Sequence, residues 1–159
     1  MSYRPSVLFV CLGNICRSPL AEAAFRHAAQ QAGLDVEIDS AGTGDWHVSN
    51  PPDPRARDMA RRHGVVIDSY RARQLVSDDF RRFAHVFVMD HGNLRDALAI
   101  VPPDARCEPR LLLDLVPGRE GTAVADPYYG DETDFAQTWS EVTAAADALV
   151  RQLLDSAAG

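Results

Sequence analysis

Five consecutive apolar residues, Val7-Leu8-Phe9-Val10-Cys11, run into a Gly13-Asn14 turn and then into a helical pattern. A short apolar run without polar alternation suits a strand covered on both faces, the environment of a parallel sheet. Beyond the turn, Ser18 is placed to cap a helix, Pro19 suits its first position, and Glu22 lies near its positive end. Ala21, Ala24, Phe25, Ala28 and Ala32 keep helical spacing, and Gly33 ends the stretch. Residues 36–41 alternate as a second strand. Strand, helix, strand in this order is a βαβ unit. It places Cys11 at the carboxyl end of the first strand, where open α/β sheets bind their ligands.

Residues 42–54 form a loop rich in Gly, Pro, Asp and Asn. Its Gly42-Thr43-Gly44 segment opens a loop rather than a helix, a poor match to a nucleotide-binding motif. Asp53-Pro54 reads as the start of a helix over 55–63 that ends at Gly64. Residues 65–76 read ambiguously. A short helix started by Ser77 is predicted over 77–83, a third strand over 85–89, and a helix over 91–100 with Leu94, Ala97 and Leu98 inward. A short fourth strand is predicted over 106–111. After a second long loop, 116–131, Phe135, Trp139, Val142, Ala146, Leu149 and Leu153 place a last helix over 132–155 against the sheet. No repeat or shift in composition divides the chain, so residues 1–159 read as one α/β domain with a small parallel sheet between helices.

The connection after the first strand has the form C-x5-R-S, from Cys11 through Leu12, Gly13, Asn14, Ile15 and Cys16 to Arg17-Ser18. Between a buried strand and a helix the backbone must curl. Gly13 is free of steric limits there, and Asn14 tolerates left-handed geometry. A curled loop can aim successive N–H groups inward as an anion nest, to which the following helix adds its positive end. Arg17 offers a planar fork matching two oxygens of a tetrahedral anion. The same groups favour thiolate over thiol at Cys11, a strong nucleophile, and Ser18 could donate a hydrogen bond to it. Ester cleavage also needs a proton donor for the leaving oxygen, and Asp126 in Ala125-Asp126-Pro127-Tyr128-Tyr129-Gly130 is the candidate. Pro127 restricts it to an extended backbone.

Net charge is −7, and all 16 basic residues are Arg, with no basic block, which argues against nucleic-acid binding. No apolar run approaches a membrane span. Three cysteines, Cys11, Cys16 and Cys107, do not make a secreted disulfide framework, so a cytoplasmic location is expected. None of the five histidines has metal-ligand spacing. His27 and His91 read as helix-surface residues and His85 as a strand start, while His47 is a minor candidate for touching substrate.

VLFVCLGNICRSPLAEA near the amino end and DPYYG near the carboxyl end resemble the low-molecular-weight protein tyrosine phosphatases, as do the intervening GTGDWHV, PDPRA, RHG, ARQL and MD-x2-NLRD segments. The resemblance covers nearly the whole chain. It implies a four-stranded parallel sheet flanked by helices, of flavodoxin-like type, and no metal or organic cofactor. It implies Cys11 as nucleophile, Arg17 as phosphate clamp and Asp126 as acid and base. Leu12 to Cys16 complete the phosphate loop, with Asn14 and Ser18 holding its shape and the thiolate. A deep cleft walled by Trp46, Tyr128 and Tyr129 would admit a phenyl phosphate to its floor, while a phosphoserine stem is too short. For these aromatics, packing on the core is the alternative. Ile15 favours phosphotyrosine, since arginine-phosphate-specific relatives tend to carry Thr there. Cys16 either traps an oxidised Cys11 as a reversible disulfide or simply packs. A His found after RHG in vertebrate members has no counterpart around Ser69-Tyr70-Arg71. The implied partner is a phosphotyrosine protein, such as an autophosphorylated bacterial tyrosine kinase, with phosphate or another oxyanion as product or inhibitor, and the chain is expected to act as a monomer.

Two other readings remain. Thiol-linked arsenate reductases share the loop and the fold, but need two downstream cysteines where this chain has Cys107. A non-catalytic phosphotyrosine-binding module would have no use for a thiolate and an acid together.

Overall fold

Every residue of Ser6–Cys11 (β1) is buried, as its unbroken apolar run requires. In this computed structural model, which describes residues 4–158, β1 lies between Glu37–Gly42 (β2) and His85–Val88 (β3), and Pro109–Leu111 (β4) extends the sheet beyond β3. All three pairings are parallel, giving the order β2-β1-β3-β4. The chain leaves β1 through Arg17–Gln31 (α1) to reach β2. It then crosses by Pro54–Arg62 (α2) and Asp79–Arg82 (α3) to β3 on the other side. His91–Leu98 (α4), β4, a 3-10 turn at Leu112–Leu115 and Glu132–Ala158 (α5) complete the path. Strand order therefore reverses at β1, and a crevice opens beyond its carboxyl end.

Alternate side chains of β1 serve two apolar clusters, following the two-residue period of a strand. Val7 and Phe9, with Phe87 of β3, face the side covered by α1, α2 and α5. Phe9 meets Phe25 edge-on at 5.7 Å and stacks on Phe87 at 6.3 Å. Leu8 and Val10, with Val86 and Val88, face Phe80, Phe83 and Ala97 on the opposite side.

Several local expectations need correction. Ser18 does not cap α1: the helix starts at Arg17, Cys16 is its N-cap residue with no side-chain bond, and the Ser18 hydroxyl turns instead toward Asn14 and Cys11. Glu22 lies beyond the first turn. It is buried against Ser40 and Arg26, and burial pushes its carboxyl above the usual range despite those hydrogen bonds. Asp53 does start α2, accepting from the Arg55 N–H at 2.8 Å, with Pro54 first in the helix. Ser77 does not start α3. Asp78 precedes that helix, and the Ser77 hydroxyl donates to the Ile100 carbonyl at 2.7 Å.

In α4, Ala97 is buried and Leu94 half-buried, but Leu98 is 48% exposed, because the helix ends there and its apolar face is too narrow to hold adjacent residues. β4 is half its expected length. The inward residues of α5 are buried as expected, yet the helix packs chiefly on α1, α2 and the 3-10 turn rather than directly on the strands. The segment 65–76 proves to be a brace. Gly42 N–H donates to the Arg73 carbonyl at 2.9 Å, and Leu75 N–H to the Gly42 carbonyl at 2.7 Å, which extends the sheet edge past β2.

Candidate active site

The loop 12–16 between β1 and α1 is shaped by one asparagine. Asn14 has a φ of 58°, the left-handed geometry expected of it. Its Oδ1 accepts the Arg73 backbone N–H at 3.1 Å, a bond only a carbonyl oxygen can accept, which fixes the orientation of the amide. Nδ2 therefore faces two hydroxyls, donating to Ser18 Oγ at 2.8 Å and Ser40 Oγ at 3.0 Å. Ser40 in turn donates to Glu22 at 2.7 Å. Since Ser18 Oγ accepts from Asn14, its own hydrogen is free for Cys11 Sγ, 3.0 Å away. The Asn14 backbone N–H also points at that sulfur, at 3.3 Å. Both groups stabilise negative charge on Sγ.

Neighbouring chain braces the loop. Thr43 and Gly44 N–H donate to the Cys11 and Leu12 carbonyls, each at 2.9 Å, so the Gly42-Thr43-Gly44 segment backs this loop. Asp53 N–H donates to the Ile15 carbonyl at 2.9 Å. A Cβ on Gly42 would lie 2.7 Å from the Leu12 carbonyl oxygen, so backbone would have to move. Gly42→Ala is expected to cost ~1–3 kcal/mol of stability and to weaken binding of an oxyanion such as phosphate, read by urea unfolding and titration. Unchanged values in both would show that the loop does not depend on this approach. Gly13 has no left-handed backbone; what its bare Cα admits is the His47 ring, which a Cβ would meet at 3.0 Å.

Arg17 is buried, with 3% of its side chain exposed. Nη1 donates to Asp90 Oδ2 at 2.7 Å and to the Val124 carbonyl at 3.0 Å, while Nη2 stands 3.5 Å from Asp126 Oδ2. Burial opposes its charge, but Cys11, Asp90 and Asp126 outweigh that and hold the guanidinium protonated above its ordinary value. Burial would likewise raise the Asp90 carboxyl. The Arg17 bond and the N–H groups of Asn93 and Gly92 prevail and hold it below the usual carboxylate range. With Nη1 occupied, Nε and Nη2 form the outer edge of the fork, available to two anion oxygens.

A cavity of about 210 Å³ opens over this loop. Cys11, Cys16 and Arg17, all buried, line it together with Leu12, Ile15, Trp46, Asp126, Tyr128 and Tyr129. Every site residue expected from sequence is thus brought to one place, with Asn14 and Ser18 just behind it. Trp46 is 68% exposed, so it is not a core anchor; its ring lies across Gly44, where a Cβ would come within 1.9 Å. Tyr128 and Tyr129 meet edge-on at 4.9 Å. Tyr129 is 95% exposed and stands at the rim. His47 also lines the cavity, while His27 is exposed on α1 and His85 opens β3. The Cys16 thiol is pushed well up, first by burial and then by Asp53, so it stays protonated at neutral pH. Asp90 and Ser40 were not singled out from sequence. Asp90 could have been found, since it lies just beyond the third strand and caps α4 through Asn93 N–H at 2.7 Å.

Among known proteins, residues 6–158 match the family described as low molecular weight phosphotyrosine protein phosphatase. The chain is 41% identical over 145 residues to the Schizosaccharomyces pombe protein of that name, covering 89% of this chain and 92% of that one. It is similar to the crystal structure of a protein tyrosine phosphatase from Entamoeba histolytica, with TM-score 0.89, 35% identity, and 96% and 98% of the two chains covered. An arginine phosphatase of Drosophila also superposes, with TM-score 0.85, 30% identity, and 92% and 96% covered.

Proposed function

The chain belongs to the low molecular weight phosphotyrosine protein phosphatases, phosphoric monoester hydrolases acting through a cysteinyl-phosphate, and we propose that Cys11, Arg17 and Asp126 carry its chemistry. Cys11 Sγ attacks phosphorus opposite the phenolic oxygen, the P–O bond breaks, and Asp126 gives its proton to that oxygen. Arg17 Nε and Nη2, with the loop N–H groups, hold the oxygens of the phosphoryl group as charge spreads over them. Asp126 then takes a proton from water, the water oxygen attacks phosphorus, and Sγ leaves as thiolate, steadied by the Ser18 hydroxyl. The observation that carries this reading is that buried Cys11 and Asp126 line one aromatic-lined cavity together with Arg17, whose Nη2 stands 3.5 Å from Asp126 Oδ2.

Trp46, Tyr128 and Ile15 give the cavity an apolar lining on which a flat ring can pack, and Ile15 offers no polar partner to a phosphorylated guanidinium. Phosphotyrosine on a protein is therefore the substrate proposed, an autophosphorylated tyrosine kinase being one such protein, with the enzyme acting as a monomer. Among the described residues no helix is long and apolar enough to cross a membrane. A thiolate mechanism needs Cys11 reduced, which suits the cytoplasm. Cys16, buried in the lining of the same cavity, is proposed as the thiol that condenses with a Cys11 sulfenic acid to form a disulfide and water, slowly because burial holds it protonated.

The test is a comparison of kcat/KM on phosphotyrosine, phosphoserine and phosphoarginine, with arsenate reduction coupled to thioredoxin as a fourth arm. Phosphotyrosine is expected to exceed phosphoserine by at least ~10²-fold. A preference for phosphoarginine would overturn the tyrosine reading. Arsenate reduction is not expected: Cys107 precedes β4 and bonds to the Phe83 carbonyl before β3, at the opposite end of the sheet from Cys11.

A further inference from the structure

We infer that Arg55 is a positioning residue for the general acid, strapping the loop that carries Asp126 to the start of α2; this rests on the assignment of Asp126 above. The loop 116–131 is pinned on both sides of that carboxylate. Before it, Val124 N–H donates to the Met89 carbonyl at 2.8 Å, and the Val124 carbonyl accepts from Arg17. After it, Arg55 Nη2 donates to the Tyr128 carbonyl at 2.8 Å and Nη1 to the Gly130 carbonyl at 3.2 Å. Asp126 Oδ1 accepts the Tyr128 N–H at 3.1 Å, so the orientation of the carboxylate follows the placement of Tyr128.

Arg55 is itself held. Its Nε and Nη2 donate to the two Asp53 oxygens, each at 3.0 Å. Its guanidinium lies 5.6 Å from the Tyr128 ring and 4.7 Å from the Phe135 ring. Asp53 N–H bonds to the Ile15 carbonyl inside the phosphate loop. Direct contacts therefore run from Ile15 through Asp53 and Arg55 to Tyr128, coupling the loop that holds phosphate to the loop that donates the proton. Only a planar fork reaches the carboxylate and both carbonyls at once.

The measurement is kcat/KM, which reports P–O cleavage, on phosphotyrosine and on an aryl phosphate whose phenolate leaves unprotonated. R55A is expected to lose ~10–10²-fold on phosphotyrosine, part of the full value of a general acid, and little on the activated ester. R55K, reaching one carbonyl, should fall between R55A and the parent. Inhibition by inorganic phosphate should be unchanged in both variants, which separates the strap from general unfolding. In the double variant D126A/R55A the loss should equal that of D126A alone. Equal losses on both esters, or losses that add fully to those of D126A, overturn the strap. If D126A itself is insensitive to the leaving group, the acid assignment falls and the strap with it. If D126A shows the dependence and R55A does not, the strap alone falls.

Discussion

Cys11→Ser protein is expected to fold, to bind inorganic phosphate and to turn over no aryl phosphate, a loss of ~10⁵-fold or more in kcat. The size follows from what surrounds the sulfur. Its hydrogen-bonding neighbours are the Asn14 N–H and the Ser18 hydroxyl, and that hydroxyl already accepts from Asn14 Nδ2. These groups favour an anion, but none can take a proton. A serine at this position keeps its proton, because an alcohol is a far weaker acid than a thiol and the site offers no base beside it. Oxyanion binding should survive, since Arg17 and the loop amides do not depend on the sulfur. The checks are single-turnover assays and a phosphate titration. Turnover within ~10²-fold of the parent enzyme would mean that another group attacks phosphorus.

The parts legible in the sequence are those set by short-range patterns. Val7 to Cys11 read as a buried strand because a doubly covered strand has no polar face to show. Phe135 through Leu153 read as a helix because burial on one side imposes its own spacing. The curl from Cys11 to Arg17 was legible because a tight connection between strand and helix needs particular residue types at adjacent positions, Asn14 among them.

What stayed hidden depends on partners that only the folded backbone brings within reach. Ser18 has the side chain of a helix cap, but Asn14 and Cys11, brought close by the curl, compete for its hydroxyl. Glu22 looked like a charge at a helix end, and Ser40 and Arg26 made it a buried acid. The 65–76 segment has no period because its backbone pairs at isolated points, with Gly42 and with Ser49 and Asn50, and it buttresses Asn14 through Arg73. Arg55 is one arginine among many in the sequence, and only the fold shows which carbonyls it reaches. Propensity describes what a residue does alone; each of these residues answers to a group brought in by the fold.

Asp126→Ala should slow phosphotyrosine hydrolysis by ~10²–10⁴-fold in kcat/KM and slow an activated aryl phosphate far less. A tyrosine phenolate is a poor leaving group, so protonation of its oxygen must accompany P–O cleavage, whereas a nitro-substituted phenolate leaves as the anion. Asp126 is suited to the task by position: its Oδ2 lies 3.5 Å from Arg17 Nη2, beside the phosphoryl site, and its side chain remains 43% exposed toward the opening where the leaving group must sit. Asp90, the other carboxylate on Arg17, cannot substitute. It is bound to Nη1 at 2.7 Å and to the Asn93 N–H at 2.7 Å, and those bonds hold it ionised, so it has no proton to give. On the proposed mechanism the two carboxylates on one guanidinium have separate duties, Asp90 orienting the fork and Asp126 moving the proton. A plot of log kcat/KM against leaving-group acidity should be shallow for the parent enzyme and steep for D126A. Parallel lines would remove Asp126 from proton transfer and leave it as a second orienting charge.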